Sequence, residues 1–168
     1  FAAFPISRIL TTPLFGRLSD RKGRKSFISI GLLAYGIISF GFIYSNTVLQ
    51  LVLIRFLHGF AGALILPIAQ AYVGDISPPG EEGKWMGYAN AAFLSGFGFG
   101  PLIGGVLSEH LGMDAAFLVM GVLSLLAFAI VIFFLPAIKP KQSATSYPSF
   151  SEMSRSGMII GLFSFRLT

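Results

Sequence analysis

The chain has 168 residues, of which 54% are hydrophobic and 11% are charged, and its mean hydropathy is +0.79. Soluble domains carry about 25% charged residues, so this composition excludes an ordinary soluble domain and indicates a membrane protein. The net charge is +5, but five of the twelve basic residues fall in a single turn without interleaved aromatic residues, which argues against nucleic acid as a partner.

Five apolar segments are each long enough to cross a membrane as a helix. Crossing about 30 Å of hydrocarbon takes about 20 helical residues, and the short alternating segments typical of a β-barrel are absent from the sequence. The sequence therefore predicts an all-α membrane protein, a polytopic bundle of transmembrane helices. The five segments lie near 1–18, 26–45, 48–74, 84–108 and 115–136, and a sixth begins near Gly157.

The turns between these segments differ in charge from one side to the other. The turn at 16–25 holds five basic residues, the turn at 75–84 holds one, and residues 137–156 hold three. The two opposite turns hold no Lys or Arg, and they offer helix N-caps at Asn46-Thr47 and at Met113-Asp114. By the positive-inside rule, the basic turns lie on the cytoplasmic side.

Three regions are expected along the chain. Residues 1–136 are predicted to form one transmembrane bundle. Residues 137–156 are long, polar and rich in Ser and Pro, so we predict a cytoplasmic linker that joins two bundles, and residues 157–168 are predicted to start the next helix. Because Phe1 already lies inside an apolar run, we expect the sequence to be a piece of a longer protein, and it predicts no cleavable signal peptide.

Three ordered motifs resemble signatures of one family. The turn at 16–25 resembles the G-x-L-x-D-R-x-G-R-K loop between the second and third helices of the major facilitator superfamily. Residues 55–59 (Arg-Phe-Leu-His-Gly) resemble the R-x-x-x-G pattern of that family's fourth helix, and residues 96–105 resemble the antiporter signature of its fifth. The resemblance, closest to the drug:proton antiporter type, implies that the chain holds helices two to six of the N-terminal half, a linker and the start of helix seven.

The basic turn is expected to act as a cytoplasmic gate. Gly16 and Gly23 permit close backbone approach and tight turning. In the family, the residue that matches Asp20 is thought to latch the two bundles together, and the family's pattern makes Asp75 the partner of Arg24. The predicted gate comprises Gly16, Asp20, Arg21, Gly23, Arg24, Lys25 and Asp75. The alternative is that these charges serve only orientation and solvation.

The glycine-rich run in the fourth segment predicts close helix packing. Gly96, Gly100 and Gly104 recur every four residues and so share one helical face, while Pro101 adds a bend. A dinucleotide-binding loop would follow a strand and is excluded. The resemblance implies that this motif restricts leak in exchange transporters; ordinary packing of small residues is the alternative. The predicted motif comprises Gly96, Gly100, Pro101, Gly104 and Gly105.

Two arginines and one histidine lie within predicted membrane segments. A buried charge there costs several kcal/mol unless it faces a cavity or a partner. The resemblance implies that Arg55 takes part in proton or substrate coupling, whereas Arg8 matches no general motif and is assigned to an anionic-substrate site or to snorkelling at the outer interface. His58 is able to titrate near neutral pH and so to assist coupling; the alternative is a hydrogen-bonded structural role.

These features predict transport of a small solute across the cell membrane by alternating access, with proton-coupled efflux of drugs or metabolites as the expected subtype. Alternatives are facilitated or ion-coupled uptake of a sugar or organic anion, and a nontransporting membrane sensor on the same fold. An enzyme is not expected, because no nucleophile and base converge. The expected partners are the solute, the lipid bilayer and protons. With no cysteine and only two histidines, the sequence predicts no metal and no cofactor.

Overall fold

The computed structural model describes residues 3–138, which form five helices. The helices are α1 (Ala3–Lys22), α2 (Arg24–Gly41), α3 (Val48–Ile76), α4 (Glu82–Leu111) and α5 (Met113–Phe134). The predicted all-α architecture is therefore confirmed for this part of the chain. The predicted linker, apart from residues 137 and 138, and the predicted helix from Gly157 lie outside the described residues.

Within residues 3–138, helices α3, α4 and α5 are long and apolar enough to cross a membrane, by length and composition. The sequence predicted five such segments. Helices α1 and α2 fall short of the same standard because charged residues of the basic turn end α1 and begin α2, and because α1 also contains Arg8. Most of the charges of these two helices therefore lie at the ends that meet in the basic turn.

The basic turn is much shorter than the ten residues that the sequence predicted. Helix α1 continues through Lys22 and α2 begins at Arg24, so that Gly23 alone separates them. Gly23 has a φ angle of +97°, a left-handed conformation that glycine adopts without the steric cost a side chain would bring. The remaining residues of the motif are helical, which fixes the direction in which each charged side chain points.

One of the two predicted N-caps is present. The Thr47 side chain accepts a hydrogen bond from the backbone of Gln50, and the Gln50 side chain accepts one from the backbone of Thr47, forming a capping box. The cap predicted at Met113-Asp114 is wrong, because α5 already begins at Met113 and follows Gly112, whose φ angle is +88°. Asp114 instead lies in the first helical turn, where its negative charge interacts favourably with the helix dipole.

Helices α2 and α3 form the centre of the bundle. Helix α1 packs mainly on α3, and α5 packs mainly on α2, whereas α4 makes fewer contacts and has no buried residue. In the half of the bundle near the basic turn, the core is a cluster of buried side chains from α2 and α3: Ile28, Leu64, Ile68 and Tyr72. The site residues on α1, α2 and α3 are thus held by the best packed part of the bundle.

Small residues allow these helices to approach closely. A Cβ atom built on Gly36 of α2 would lie 3.2 Å from the carbonyl oxygen of Gly121 of α5, and the reverse distance is also 3.2 Å. Nearby, the Ser124 hydroxyl donates to the carbonyl oxygen of Leu32 at 2.9 Å. Glycines of this kind permit the backbone contact by which membrane helices associate, and the serine adds a hydrogen bond between helices.

Candidate functional site

Polar contacts join four helices at the end of the bundle that holds the basic turn. The Lys25 ammonium group donates a hydrogen bond to the carbonyl oxygen of Ile132 at 2.9 Å, which joins the start of α2 to the end of α5. The Tyr72 hydroxyl donates to the carbonyl oxygen of Pro136 at 2.9 Å, which joins α3 to the chain after α5. These two contacts therefore hold the ends of α2, α3 and α5 together beside the basic turn.

Arg24 lies among these helix ends and contacts two carboxylates. Its Nε atom pairs with Asp75 Oδ2 in the last turns of α3, and its Nη2 atom lies 3.0 Å from Asp20 Oδ1 near the end of α1. The ion pair between Arg24 and Asp75 is the one that the sequence analysis expected. The planar guanidinium group can hold two carboxylates at once, which a lysine ammonium group on its flexible stem would do less rigidly. One arginine thus connects three helices.

The two carboxylates differ in their exposure. The side chains of Arg24 and Asp75 are only 10% and 11% exposed, whereas that of Asp20 is 53% exposed. A charge pair that is withheld from water depends strongly on both partners, because removing one leaves the other buried and uncompensated. An exposed pair contributes little. The geometry therefore combines one firm contact with one weak contact.

The other residues of the predicted gate take separate positions. Arg21 and Lys25 line a cavity at the α1–α2 corner, and neither forms an ion pair with Asp20 or Asp75 among residues 3–138. Gly16 lies inside α1, and no described atom lies within 4 Å of a Cβ built there. The close approach that the sequence analysis expected at Gly16 is therefore not found among residues 3–138, while the tight turn expected at Gly23 is present.

Arg55 lies in a second cavity at the opposite end of the bundle. Its guanidinium carbon is 5.1 Å from the centroid of the Phe42 ring, a cation–π geometry, and Phe42 stacks on Phe117 with ring centroids 4.5 Å apart. The cavity has a volume of about 390 Å³, and Arg55 is its only charged lining residue among those described. Its lining comprises Ala3, Phe42, Val48, Leu51, Val52, Arg55, Met113 and Phe117.

His58 points away from that cavity although it follows Arg55 by three residues. It is 1% exposed, and its Nε2 atom lies 3.1 Å from the Ser39 hydroxyl and 3.2 Å from the carbonyl oxygen of Tyr35. Its ring stacks on Tyr35 at 4.0 Å and lies 5.1 Å from Phe42. The Nδ1 atom has no partner among the described residues. His58 is thus hydrogen-bonded and buried beneath Phe42, the ring on which Arg55 lies.

Arg8 is half-buried on α1. Its carbonyl oxygen accepts a hydrogen bond from the Thr12 hydroxyl at 2.7 Å, and none of the ion pairs among residues 3–138 includes its side chain. The structure therefore does not bring Arg8 together with the charged cluster around Arg24.

The glycine motif of α4 faces open space among the described residues. No atom lies within 4 Å of a Cβ built on Gly96, Gly100, Gly104 or Gly105, so the close packing expected there is not found within residues 3–138. Pro101 is accommodated inside the continuous helix α4. Gly100 and Gly104 instead line an apolar cavity of about 350 Å³ between α4 and α5.

The glycines that do pack closely lie elsewhere: the sequence analysis named Gly59 only as part of the R-x-x-x-G pattern, and it did not name Gly31. A Cβ on Gly31 would lie 2.7 Å from Leu64 Cβ, and one on Gly59 would overlap the Ser7 hydroxyl. Ser7 in turn donates to the carbonyl oxygen of Phe56 at 2.7 Å, between α1 and α3. The available signal was the presence of single Gly and Ser residues inside otherwise apolar segments.

Comparison with known proteins identifies the family of this chain. A family model described as Major Facilitator Superfamily matches residues 1–167. The chain is 35% identical over 127 residues to an uncharacterized MFS-type transporter of Methanocaldococcus jannaschii, which covers 76% of this chain and 33% of the relative. It is 34% identical over 145 residues to the quinolone resistance protein NorA of Staphylococcus aureus, which covers 86% of this chain and 37% of the relative. The chain thus spans about a third of the length of these relatives.

Proposed function

This chain belongs to the major facilitator superfamily, and from that premise we propose that it forms most of the N-terminal bundle of an exporter that moves drugs or metabolites in exchange for protons. It is an integral protein of the cell membrane. The similarity to a protein named for quinolone resistance supports a drug-like substrate. The transport mechanism is alternating access, in which two bundles rock about a site near the middle of the membrane.

The observation that carries the proposal is the ion cluster of Arg24 with Asp20 and Asp75. A cluster that joins the cytoplasmic ends of three helices is suited to a gate, because its contacts can form in one state and break in another. The buried pair of Arg24 and Asp75 keeps the bundle together in both states. Asp20 is half-exposed and bonded through one oxygen, and its second oxygen, which has no partner among residues 3–138, is assigned to a contact with the other bundle. Gly23 forms the turn that brings Asp20 and Arg24 together, and Gly16, Arg21 and Lys25 flank this gate on the same two helices.

We assign proton or substrate coupling to the cavity that Arg55 lines. A permanent positive charge among aromatic and aliphatic side chains attracts an anionic group, either of the substrate or of a carboxylate that releases a proton. His58 supports this site by packing under Phe42. Arg8, on the neighbouring α1, is assigned to the attraction of anionic groups toward the same pathway.

The open face of α4 is assigned to packing in the complete transporter. Gly96, Gly100, Gly104 and Gly105 present a surface without side chains, against which another helix can lie closely, and Pro101 accompanies them. In exchange transport such a seal would limit leak. A Gly100→Leu substitution should then reduce transport by the full-length protein, whereas full transport by this variant would leave the sealing role without support.

The function is tested with the full-length protein in proteoliposomes. Cationic drugs, sugars and organic anions are presented with and without an imposed pH gradient, and movement of each solute is measured. Drug movement that collapses when the gradient is removed is the expected result. Drug movement indifferent to the gradient would contradict proton coupling, and absence of movement for every solute would contradict transport and favour the sensor.

The gate is tested separately by cysteine accessibility. A reporter cysteine replaces Leu14, which is 64% exposed on α1 and less than two turns from Asp20. In the full-length protein, Asp20→Asn should raise the labelling rate of this cysteine by a water-soluble maleimide, because the closed gate loses a contact. The matched control is Asp114→Asn, which removes an exposed carboxylate at the opposite end of the bundle. Equal labelling in both variants would rule out the gate.

A further inference from the structure

A basic cavity of about 360 Å³ lies at the corner between α1 and α2, beside the chain that follows α5. Among residues 3–138, its charged lining consists of Arg21, Lys22 and Lys25, and none of the lining residues is acidic. The acids of this corner, Asp20 and Asp75, both contact Arg24, which does not line the cavity. The basic turn thus contributes Arg24 to the gate cluster and Arg21, Lys22 and Lys25 to the cavity. The cavity lining therefore carries three positive charges.

The basic side chains that line this cavity have further N–H groups that can donate hydrogen bonds. The Lys25 ammonium group gives one hydrogen bond to the carbonyl oxygen of Ile132, and its other two N–H groups have no partner in the described part of the chain. Arg21 and Lys22 are exposed and form none of the ion pairs found among residues 3–138. Ser26 adds a hydroxyl group to the lining. A bound phosphate group would accept hydrogen bonds from several of these donors at once.

An apolar stripe continues from the cavity along α2. Ser26 of the lining is followed at positions i+4, i+7 and i+11 by Ile30, Leu33 and Ile37, which share its helical face. These three side chains are 57%, 37% and 59% exposed. The cavity wall itself is completed by Ala137 and the half-buried Ile138. A polar cavity thus leads into a strip of aliphatic surface that runs away from the basic end of the bundle.

We propose that this cavity binds the phosphate headgroup of an anionic phospholipid, with an acyl chain along Ile30, Leu33 and Ile37. The basic ends of membrane-spanning helices lie at headgroup depth, where basic pockets attract anionic lipids. A soluble phosphate would match the charged lining but would leave the apolar stripe unused. The proposal concerns lipid binding and holds whether or not the protein transports a solute.

The test measures lipid selectivity directly. Full-length protein is placed in phosphatidylcholine bilayers with trace spin-labelled phosphatidylglycerol or phosphatidylcholine, and the motionally restricted fraction of each lipid gives their relative association constant. The cavity variant is the double substitution Lys22→Gln and Lys25→Gln. The matched control is the double substitution Arg17→Gln and Lys84→Gln, which removes the same charge from exposed residues on the same membrane side that do not line the cavity.

The cavity variant should lower the preference for phosphatidylglycerol by about threefold or more, since each basic group near the surface carries a several-fold effect. The control should lower it much less. An equal fall in both variants would show attraction by diffuse surface charge, and no fall would show that the cavity is not a lipid site; either overturns the proposal. Lys22→Gln alone, at an exposed position, repeats the test if Lys25→Gln weakens folding through its lost bond to Ile132.

Discussion

Gly59 of α3 lies against the carbonyl oxygen of Phe4 of α1, so closely that a Cβ atom on Gly59 would overlap that oxygen. Gly62, one turn along the same helix, faces the ring of Phe4 instead, and a Cβ there would lie 3.5 Å from the ring, an ordinary contact. The crossing of α1 and α3 therefore depends on one glycine much more than on its neighbour.

We expect Gly59→Ala to destabilise the protein by about 1–3 kcal/mol, because the backbone carbonyl cannot move aside as a flexible side chain would. Gly62→Ala should be neutral, or stabilising by up to about 1 kcal/mol through helix propensity. The measurement is thermal unfolding of the full-length protein in detergent. Similar midpoints for the two variants would contradict the close crossing.

Asp75→Asn and Asp20→Asn should differ in stability although both remove a partner of Arg24. Loss of Asp75 leaves a 10% exposed guanidinium group without its main partner and should cost about 3 kcal/mol. Loss of the 53% exposed Asp20 should cost less than about 1 kcal/mol. The difference in stability is measured by comparing the unfolding midpoints of the two variants. A larger loss for Asp20→Asn would reverse the assignment of the firm and the weak contact.

Arg55→Lys should retain part of the transport that Arg55→Ala loses. Lysine keeps the positive charge but not the flat guanidinium group that lies over Phe42. We expect gradient-driven drug movement to fall by about tenfold or more in Arg55→Ala, because the charge that attracts an anionic group is gone. Proteoliposome uptake provides the measurement, with Arg17→Ala as the control for loss of a charge outside the cavity. Wild-type rates in Arg55→Ala would remove this residue from coupling.

His58→Phe should keep gradient-dependent transport, whereas His58→Ala should weaken it. Phenylalanine replaces the ring that packs between Tyr35 and Phe42, and loses the hydrogen bonds of Nε2, which costs about 1 kcal/mol. Alanine leaves a cavity under Phe42 and costs about 3–5 kcal/mol by analogy with other aromatic truncations. Transport and unfolding are measured on the same preparations. Loss of gradient dependence in a stable His58→Phe protein would show that the imidazole itself carries protons.

The sequence predicted the number of helices in the described part and their approximate positions. The assignment of the basic turns to the cytoplasmic side stays a prediction. The sequence also predicted the Thr47 cap and the partner of Arg24. It overestimated the length of the basic turn, because charged residues are compatible with helix and only the conformation of Gly23 interrupts it. It placed the second cap at Met113-Asp114 because it did not anticipate that Gly112 would form the turn.

What the sequence alone determined is the helical bundle and the end at which its basic residues gather. Lipid offers no hydrogen-bond partner to the backbone, so long apolar segments must be helices, and basic turns remain on one side. Only the tertiary structure decided that Gly59 and Gly36 pack closely while Gly100 faces open space, that His58 is buried while Arg55 lines a cavity, and that Lys22 and Lys25 share a basic cavity. These outcomes depend on how each helix is rotated against its neighbours, which contacts distant in sequence determine.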